Sequence, residues 1–426
     1  MKRVLLAVRL LLVFSAVILV VGHFCLAGVI SHYDIKAELL PTQGELQAEV
    51  TLKCTAPEGG LQKLELLLNR GLDIASLTSD AGATTFRFDR TQPSPFRYTP
   101  TAAPLTVEFG TPVAAGKKFT LRLTYAGTIE PDNWLTNVLT RDWVELALYV
   151  AWYPVDPASS SITSTVSVKV APPYIVTGTG SLSRSGDSWV LTQDQPTFDI
   201  IVIAAPQLHA RHVGDDRFAV DVWHKNLSPA QIDRIAADSG RMVTEFQAWF
   251  GPSPRKRITI VFAERISGGG YYRPGFMSLI YDADYRGLFK YAAHEVAHFW
   301  WSKGSTTTWE DWLNESFAEY SSLMLIRESF GADAFNEYLT LYAKEAENAP
   351  PIWGLDRSDK AAQAVLYRKG PLLLHDLEEK IGKDGFQHFL AALVSRKVSS
   401  TDQFLTTLQE QTSKAVRDQF EERLKK

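Results

Sequence analysis

The stretch His294 to Tyr320, HEVAHFWWSKGSTTTWEDWLNESFAEY, constrains this chain more tightly than any other. At about 3.6 residues per helical turn, His294 and His298 stand one turn apart on nearly the same face, where both imidazoles can reach a single metal ion. Glu295 then sits about 100° round the helix, beside such an ion rather than on it. Tyr291, Ala292, Ala293, Val296, Ala297 and Phe299 to Trp301 make the helix largely apolar. On a solvated helix the same pattern carries no chemistry, but a glutamate buried between two buried histidines is costly without a metal or a partner. A zinc ion that catalyses needs a third protein ligand and an open position for water. Glu315, in the helix-favouring run WLNESFAEYSSLMLI, is the best-placed candidate, with Glu310 and Glu319 as competitors. Two helices must then face each other across one ion.

A chain of 426 residues with 45% hydrophobic and 22% charged residues has room for two or three domains and a large core. Its net charge of -4, with no long run of one sign, argues against a nucleic-acid surface. The amino terminus stands apart: Lys2, Arg3 and Arg9 accompany the apolar run LLLVFSAVILVVGHFCLAGVI, long enough to approach a bilayer span. Residues 1–30 are therefore expected to be a signal peptide or an uncleaved membrane anchor. The basic residues keep that end cytoplasmic and send the remainder across, so the protein is expected to be exported, either membrane-anchored or periplasmic or extracellular. Phe24 before Cys25 argues against lipidation. With only Cys25 and Cys54 there is no disulfide framework, and Cys54 reads as a small buried hydrophobe.

Residues 31–206 are strand-like, with short apolar alternations between Gly, Pro, Asp and Ser clusters. Val166, Val168 and Val170 alternate with polar neighbours, and similar runs occur at Leu46 to Leu52, Leu61 to Leu68, Phe119 to Tyr125 and Phe198 to Ile203. An open antiparallel sheet or sandwich is expected, without repeats. After Pro206 the pattern changes. Phe218 to Trp223 reads as a strand, Ser228 with Pro229 opens a helix running to about Phe250, and Lys256 to Ala263 is a second strand. The glycine run Gly268 to Gly270 leads into PGFMSLIYD. Beyond Tyr320 the chain reads as helical, with helices near Ala332 to Glu345, Ala361 to Lys380, Gly385 to Arg396 and Thr401 to Glu410. The fold class expected is α+β and multidomain: an N-terminal antiparallel β domain, then residues 207–426 as a thermolysin-like α/β catalytic domain with a helical C-terminal lobe.

HEVAHFWW followed by WLNESFAEY resembles the gluzincin zinc metallopeptidases, specifically the aminopeptidase N family. The connector from Phe299 to Asn314 is shorter than the family's usual one, while the flanking match keeps Glu315 as ligand. The resemblance implies one Zn2+ per chain on His294, His298 and Glu315, with Glu295 as general base. It gives Tyr367, in Tyr367-Arg368-Lys369-Gly370, the role of a hydroxyl aimed at the substrate carbonyl. It aligns Gly275, Phe276 and Met277 with the cleft-bordering strand that pairs with substrate backbone, although Ser278 replaces the glutamate that binds a free amine. It also makes Glu145, nine residues before Pro154 in an aromatic-dense stretch, a candidate cleft residue from the β domain. The alternative for Trp143, Trp152 and Tyr153 is plain core. An Asn-x-Ser glycosylation pattern at Asn314 lies inside the metal site and is expected to be accidental.

The function expected is a zinc metallopeptidase acting on peptides or proteins, an aminopeptidase in the first instance, with membrane contact through residues 1–30 if these are uncleaved. The alternatives are an endopeptidase of the same fold, and a non-catalytic binding or scaffold relative that has lost part of the catalytic set.

Overall fold

The computed structural model describes residues 28–132, 137–265 and 270–426. The apolar N-terminal run up to Ala27 lies outside the described residues, as do Gly268 and Gly269 of the glycine run. Among the described residues, no helix is long and apolar enough to cross a membrane.

Alternating patterns become half-buried strands because successive side chains point to opposite faces. Ile162–Val170 buries every second residue and sits inside a seven-stranded sheet. Its neighbours are Ser188–Thr197 on one side and Ile30–Leu40 on the other, followed by Glu45–Thr55, Lys118–Thr128 and Leu72–Ser79. The antiparallel expectation fails at one seam, where Ile30–Leu40 runs parallel to Ile162–Val170. A parallel pair needs a long crossover, and here everything between Leu40 and Ile162 supplies it. A three-stranded sheet (Leu61–Asn69, Ala102–Val113, Thr84–Phe88) packs through the same core, in which Tyr33, Trp152 and Tyr153 are fully buried.

A four-stranded sheet, Tyr174–Gly178, Val202–Pro206, Val144–Leu146 and Val138–Leu139, faces the second half of the molecule. The strand expected from Phe198 starts only at Val202. Asp199, with its carboxylate accepting from the Leu148 backbone N–H and from Arg273 Nε, interrupts it. Trp143, Ile201 and Ile203 from this side meet Val261 and Phe276 from the next sheet in a shared apolar cluster.

That next sheet has the order His209–Gly214, Ala219–His224, Arg257–Phe262, Phe276–Leu279, Tyr271–Arg273. A helix, Pro229–Phe250, joins its second and third strands; Ser228 and Gln231 close a reciprocal capping box at its start. The metal helix is Tyr285–Ala297, capped by Asp284, with His298 as its C-cap. Trp312–Glu345 packs across it and bends at Gly331, so the helix expected from Ala332 is this helix's second limb. The expected Ala361 to Lys380 helix is instead broken by a π-helical turn, Val365–Lys369, before Gly370–Ile381. Lys383–Ser395, Thr401–Gln411 and Lys414–Leu424 complete the lobe.

Candidate metal centre and active-site residues

The metal helix delivers His294 and His298 to one side, and the first turn of Trp312–Glu345 delivers Glu315 opposite. His294 Nε2 lies 3.3 Å and His298 Nε2 3.5 Å from Glu315 Oε2. One ligand atom from each residue falls within 4.8 Å of the others. Zinc bonds of about 2.0–2.1 Å at tetrahedral angles put neighbouring ligand atoms roughly 3.3 Å apart, so this set fits a zinc ion. Each imidazole presents Nε2 because Nδ1 is occupied: His294 Nδ1 meets Glu319 Oε2 at 2.7 Å, and His298 Nδ1 meets the Trp301 carbonyl at 2.9 Å. Such outer contacts fix tautomer and ring orientation.

Electrostatics support the same assignment. Burial disfavours a charged His294, yet the Glu315 and Glu319 carboxylates overcome it and hold its pKa up at about 10. Burial also opposes ionisation of Glu315, but the His298 and His294 rings keep its carboxyl well below the usual range. Glu319 is likewise held low against burial by Lys290 and His294. This cluster of buried carboxylates attracts positive charge, which protonated imidazoles carry in the metal-free chain and a divalent cation would carry once it displaces their protons. Of the competitors, Glu319 lies behind His294, where it also pairs with Lys290 at 2.5 Å and accepts from Tyr342. Glu310 is turned away and caps Thr401 through its N–H and hydroxyl.

Glu295 is buried beside this trio, and burial raises its pKa against the pull of the two histidines. Tyr367 stacks on the His294 ring with centroids 5.7 Å apart. Burial, and then the adjacent Glu315 carboxylate, push its pKa well above that of free tyrosine, so the hydroxyl stays protonated. The π-helical turn sets this position. Ser316 Oγ, one residue after Glu315, donates to the Leu366 carbonyl at 2.7 Å and ties the tyrosine's turn to the ligand helix.

Two expectations meet different surroundings in the fold. Phe276–Leu279, expected to border the cleft, is an inner strand, hydrogen-bonded on both sides, with Phe276 and Met277 buried, while Gly275 is half-buried. Gly275, at φ 82°, makes the tight turn from Tyr271–Arg273, and that short segment is the edge strand. Tyr272 on it stacks against His298. A Cβ on Gly270, just before it, would lie 3.1 Å from Glu295 Oε1, so this strand approaches Glu295. Glu145, for its part, is not exposed to a cleft; it is fully buried. Its Oε1 accepts from Arg265 Nη1 (3.3 Å), Tyr271 (2.8 Å) and Ser278 (3.0 Å), and its Oε2 from Trp143 Nε1 (3.0 Å). Asn314 is also buried, bonded to both main-chain groups of Gly304, which rules it out as a glycan acceptor in the folded chain.

Sequence reasoning missed Lys290, Arg265 and Arg273. Lys290 left a signal, as one charge on the face of an apolar helix, four residues before His294.

Residues 277–422 match the model of the peptidase family M1 domain. The chain is 29% identical over 140 residues to aminopeptidase M1-A of Oryza sativa subsp. japonica, a match covering 29% of this chain and 16% of that protein. The M1 fold extends further. The M1 zinc metallopeptidase of Deinococcus radiodurans, solved as a mutant with a Tyr-Ser-Ala substrate, superposes with a TM-score of 0.72 at 22% identity over 93% of this chain and 94% of that one. Native leukotriene A4 hydrolase of Saccharomyces cerevisiae gives 0.72 at 19% identity, over 92% of this chain and 67% of that one. The β-rich half and the helical half thus share the arrangement of M1 proteins, and the metal trio lies within the matched domain.

Proposed function

We propose that this protein is a zinc-dependent metallopeptidase that hydrolyses peptide bonds. The carrying observation is the convergence of His294, His298 and Glu315, with Glu295 buried beside them and Tyr367 against His294. A zinc ion held there supplies an electrophile for the scissile carbonyl and lowers the pKa of water toward neutrality. Glu295 takes a proton from the attacking water and returns it to the departing amine; its raised pKa suits a group that must both accept and give. Tyr367, kept protonated, donates to the oxygen on which charge develops. The Tyr271–Arg273 edge strand offers main-chain groups to an extended peptide. Aminopeptidase action is supported by the name of the rice relative. Cleavage without a free amino terminus is supported by the burial of Glu145, which removes the anchor expected from the β domain. The non-catalytic reading is disfavoured because ligands, base and tyrosine are all present. Export, with residues 1–30 as signal or anchor, is supported by the basic and apolar pattern of that segment.

The test is hydrolysis of a peptide panel before and after chelation. Turnover should disappear with the metal and return on adding about one equivalent of zinc per chain. Hydrolysis unaffected by complete metal removal would overturn the proposal.

A further inference from the structure

Asp311 and Arg357 form an ion pair at the front of the ligand helix that the proposed chemistry does not use. Asp311 immediately precedes Trp312–Glu345 and stands about one turn, roughly 6 Å along the axis, before Glu315. Both its oxygens are engaged: Oδ1 accepts from Asn314 Nδ2 at 2.9 Å and Oδ2 from Arg357 Nε at 2.6 Å. The Arg357 side chain is held in place by this bond and is 12% exposed. Its Nη1 and Nη2, by contrast, donate to no group among the described residues, and neither is sealed from solvent.

The groups around that open edge belong to the reacting centre. Burial pushes up the Tyr98 phenol, and burial with Glu315 pushes up that of Tyr367; the Arg357 charge draws both back. Tyr367 lies against His294. Tyr98 comes from the β-rich half, and its hydroxyl donates to the Thr306 carbonyl at 3.0 Å, in the connector between the two metal helices. The other nearby cations are engaged elsewhere: Lys290 and Arg368 pair with Glu319 behind His294, and Arg368 also with Glu345. A guanidinium anchored through Nε keeps its two remaining nitrogens as a planar fork, which suits a carboxylate. Because Asp311 already orders it, it loses little freedom on binding. Resting on the metallopeptidase reading, we infer that Arg357 is a specificity-determining residue that receives a carboxylate of the peptide substrate, either an acidic side chain beside the scissile bond or the carboxyl terminus of a short peptide.

The experiment uses the zinc-loaded full chain and three peptide pairs: Glu against Gln on the amino side of the scissile bond, the same exchange on its leaving side, and a free against an amidated carboxyl terminus on one tripeptide. In the pair that carries the recognised group, the carboxylate form should have a kcat/KM about tenfold higher, chiefly through KM, and that pair identifies the source. Arg357→Met should bring the ratio to about one. If that variant does not fold, Arg357→Lys keeps a charge for Asp311 without the planar fork and should lower the ratio roughly threefold or more. Calorimetric binding of the same peptides to Glu295→Gln supplies a readout without turnover, with the carboxylate form binding about tenfold tighter. Equal rates and equal binding within every pair, or a preference that survives the Arg357 substitutions, overturns the inference while leaving the peptidase reading intact. Absence of chelator-sensitive hydrolysis of every peptide overturns that reading and the inference with it.

Discussion

Glu319 shows how much of this centre is charge compensation. It stands behind His294 rather than among the three converging ligand atoms, yet Lys290, Arg368, Tyr342 and His294 all meet its carboxylate. Glu319→Gln keeps the shape and removes the charge that makes His294 a strong donor to a cation. Zinc affinity, read by competition with a chromogenic chelator, should fall about 10–100-fold; unchanged affinity would return Glu319 to a purely structural role. Tyr367→Phe should lower kcat roughly a hundredfold with little change in KM, since its bond matters chiefly in the transition state. Equal kcat in the two proteins would remove Tyr367 from the chemistry. Cys54 is the inert counterpart. Burial in the β core pushes its thiol up to about 12, so the native protein should leave it unalkylated at pH 8, with labelling only on unfolding, as read by peptide mass spectrometry. The convergence of His294, His298 and Glu315 was legible because the one-turn spacing of the histidines puts both on one helix face. The carboxylate pairings of Arg265 and Arg273 were not, since those partners lie 120 and 74 residues away.

Elements whose pattern matches their period were legible: the alternation of Ile162–Val170 and the capped start of Pro229–Phe250. The edge strand was not. Tyr271–Arg273 and Phe276–Leu279 are too short to show alternation, and the second is buried throughout, so nothing in the residues says which lies outside. Nor does a π turn leave a mark, because one extra residue barely disturbs an apolar stripe. Its packing can still be tested. A Cβ on Gly370 would sit 1.9 Å from Ser316 Oγ, so Gly370→Ala must break the Ser316–Leu366 bond and shift the turn carrying Tyr367. The expected result is full zinc content with kcat reduced at least tenfold, comparable to a lost transition-state contact; wild-type kcat would show that the turn does not position the tyrosine.

The two halves of the molecule are joined by the apolar cluster around Val261 and Phe276 and by the buried pair of Asp199 with Arg273, 2.8 Å apart. Removing one partner of such a pair leaves an uncompensated buried charge. Asp199→Ala should therefore cost about 3–5 kcal/mol, measured as a lower denaturant midpoint. A midpoint unchanged within error would mean that Arg273 finds water or another acceptor. This joint was invisible in the sequence, where Asp199 lies in an apparent strand and Arg273 beside a proline; only the fold gives them a common interior.

Two helices bring His294, His298 and Glu315 together with Glu295 beside them, the arrangement proposed to hold one catalytic zinc. Elemental analysis of the purified full chain and three variants tests this most directly, with turnover measured on the same samples. About one zinc per chain is expected in the unmodified protein and in Glu295→Gln, the latter without turnover, and most of the metal should be lost from His298→Ala and Glu315→Ala. Stoichiometric zinc retained in both ligand variants would mean that the ion is not held by His298 and Glu315.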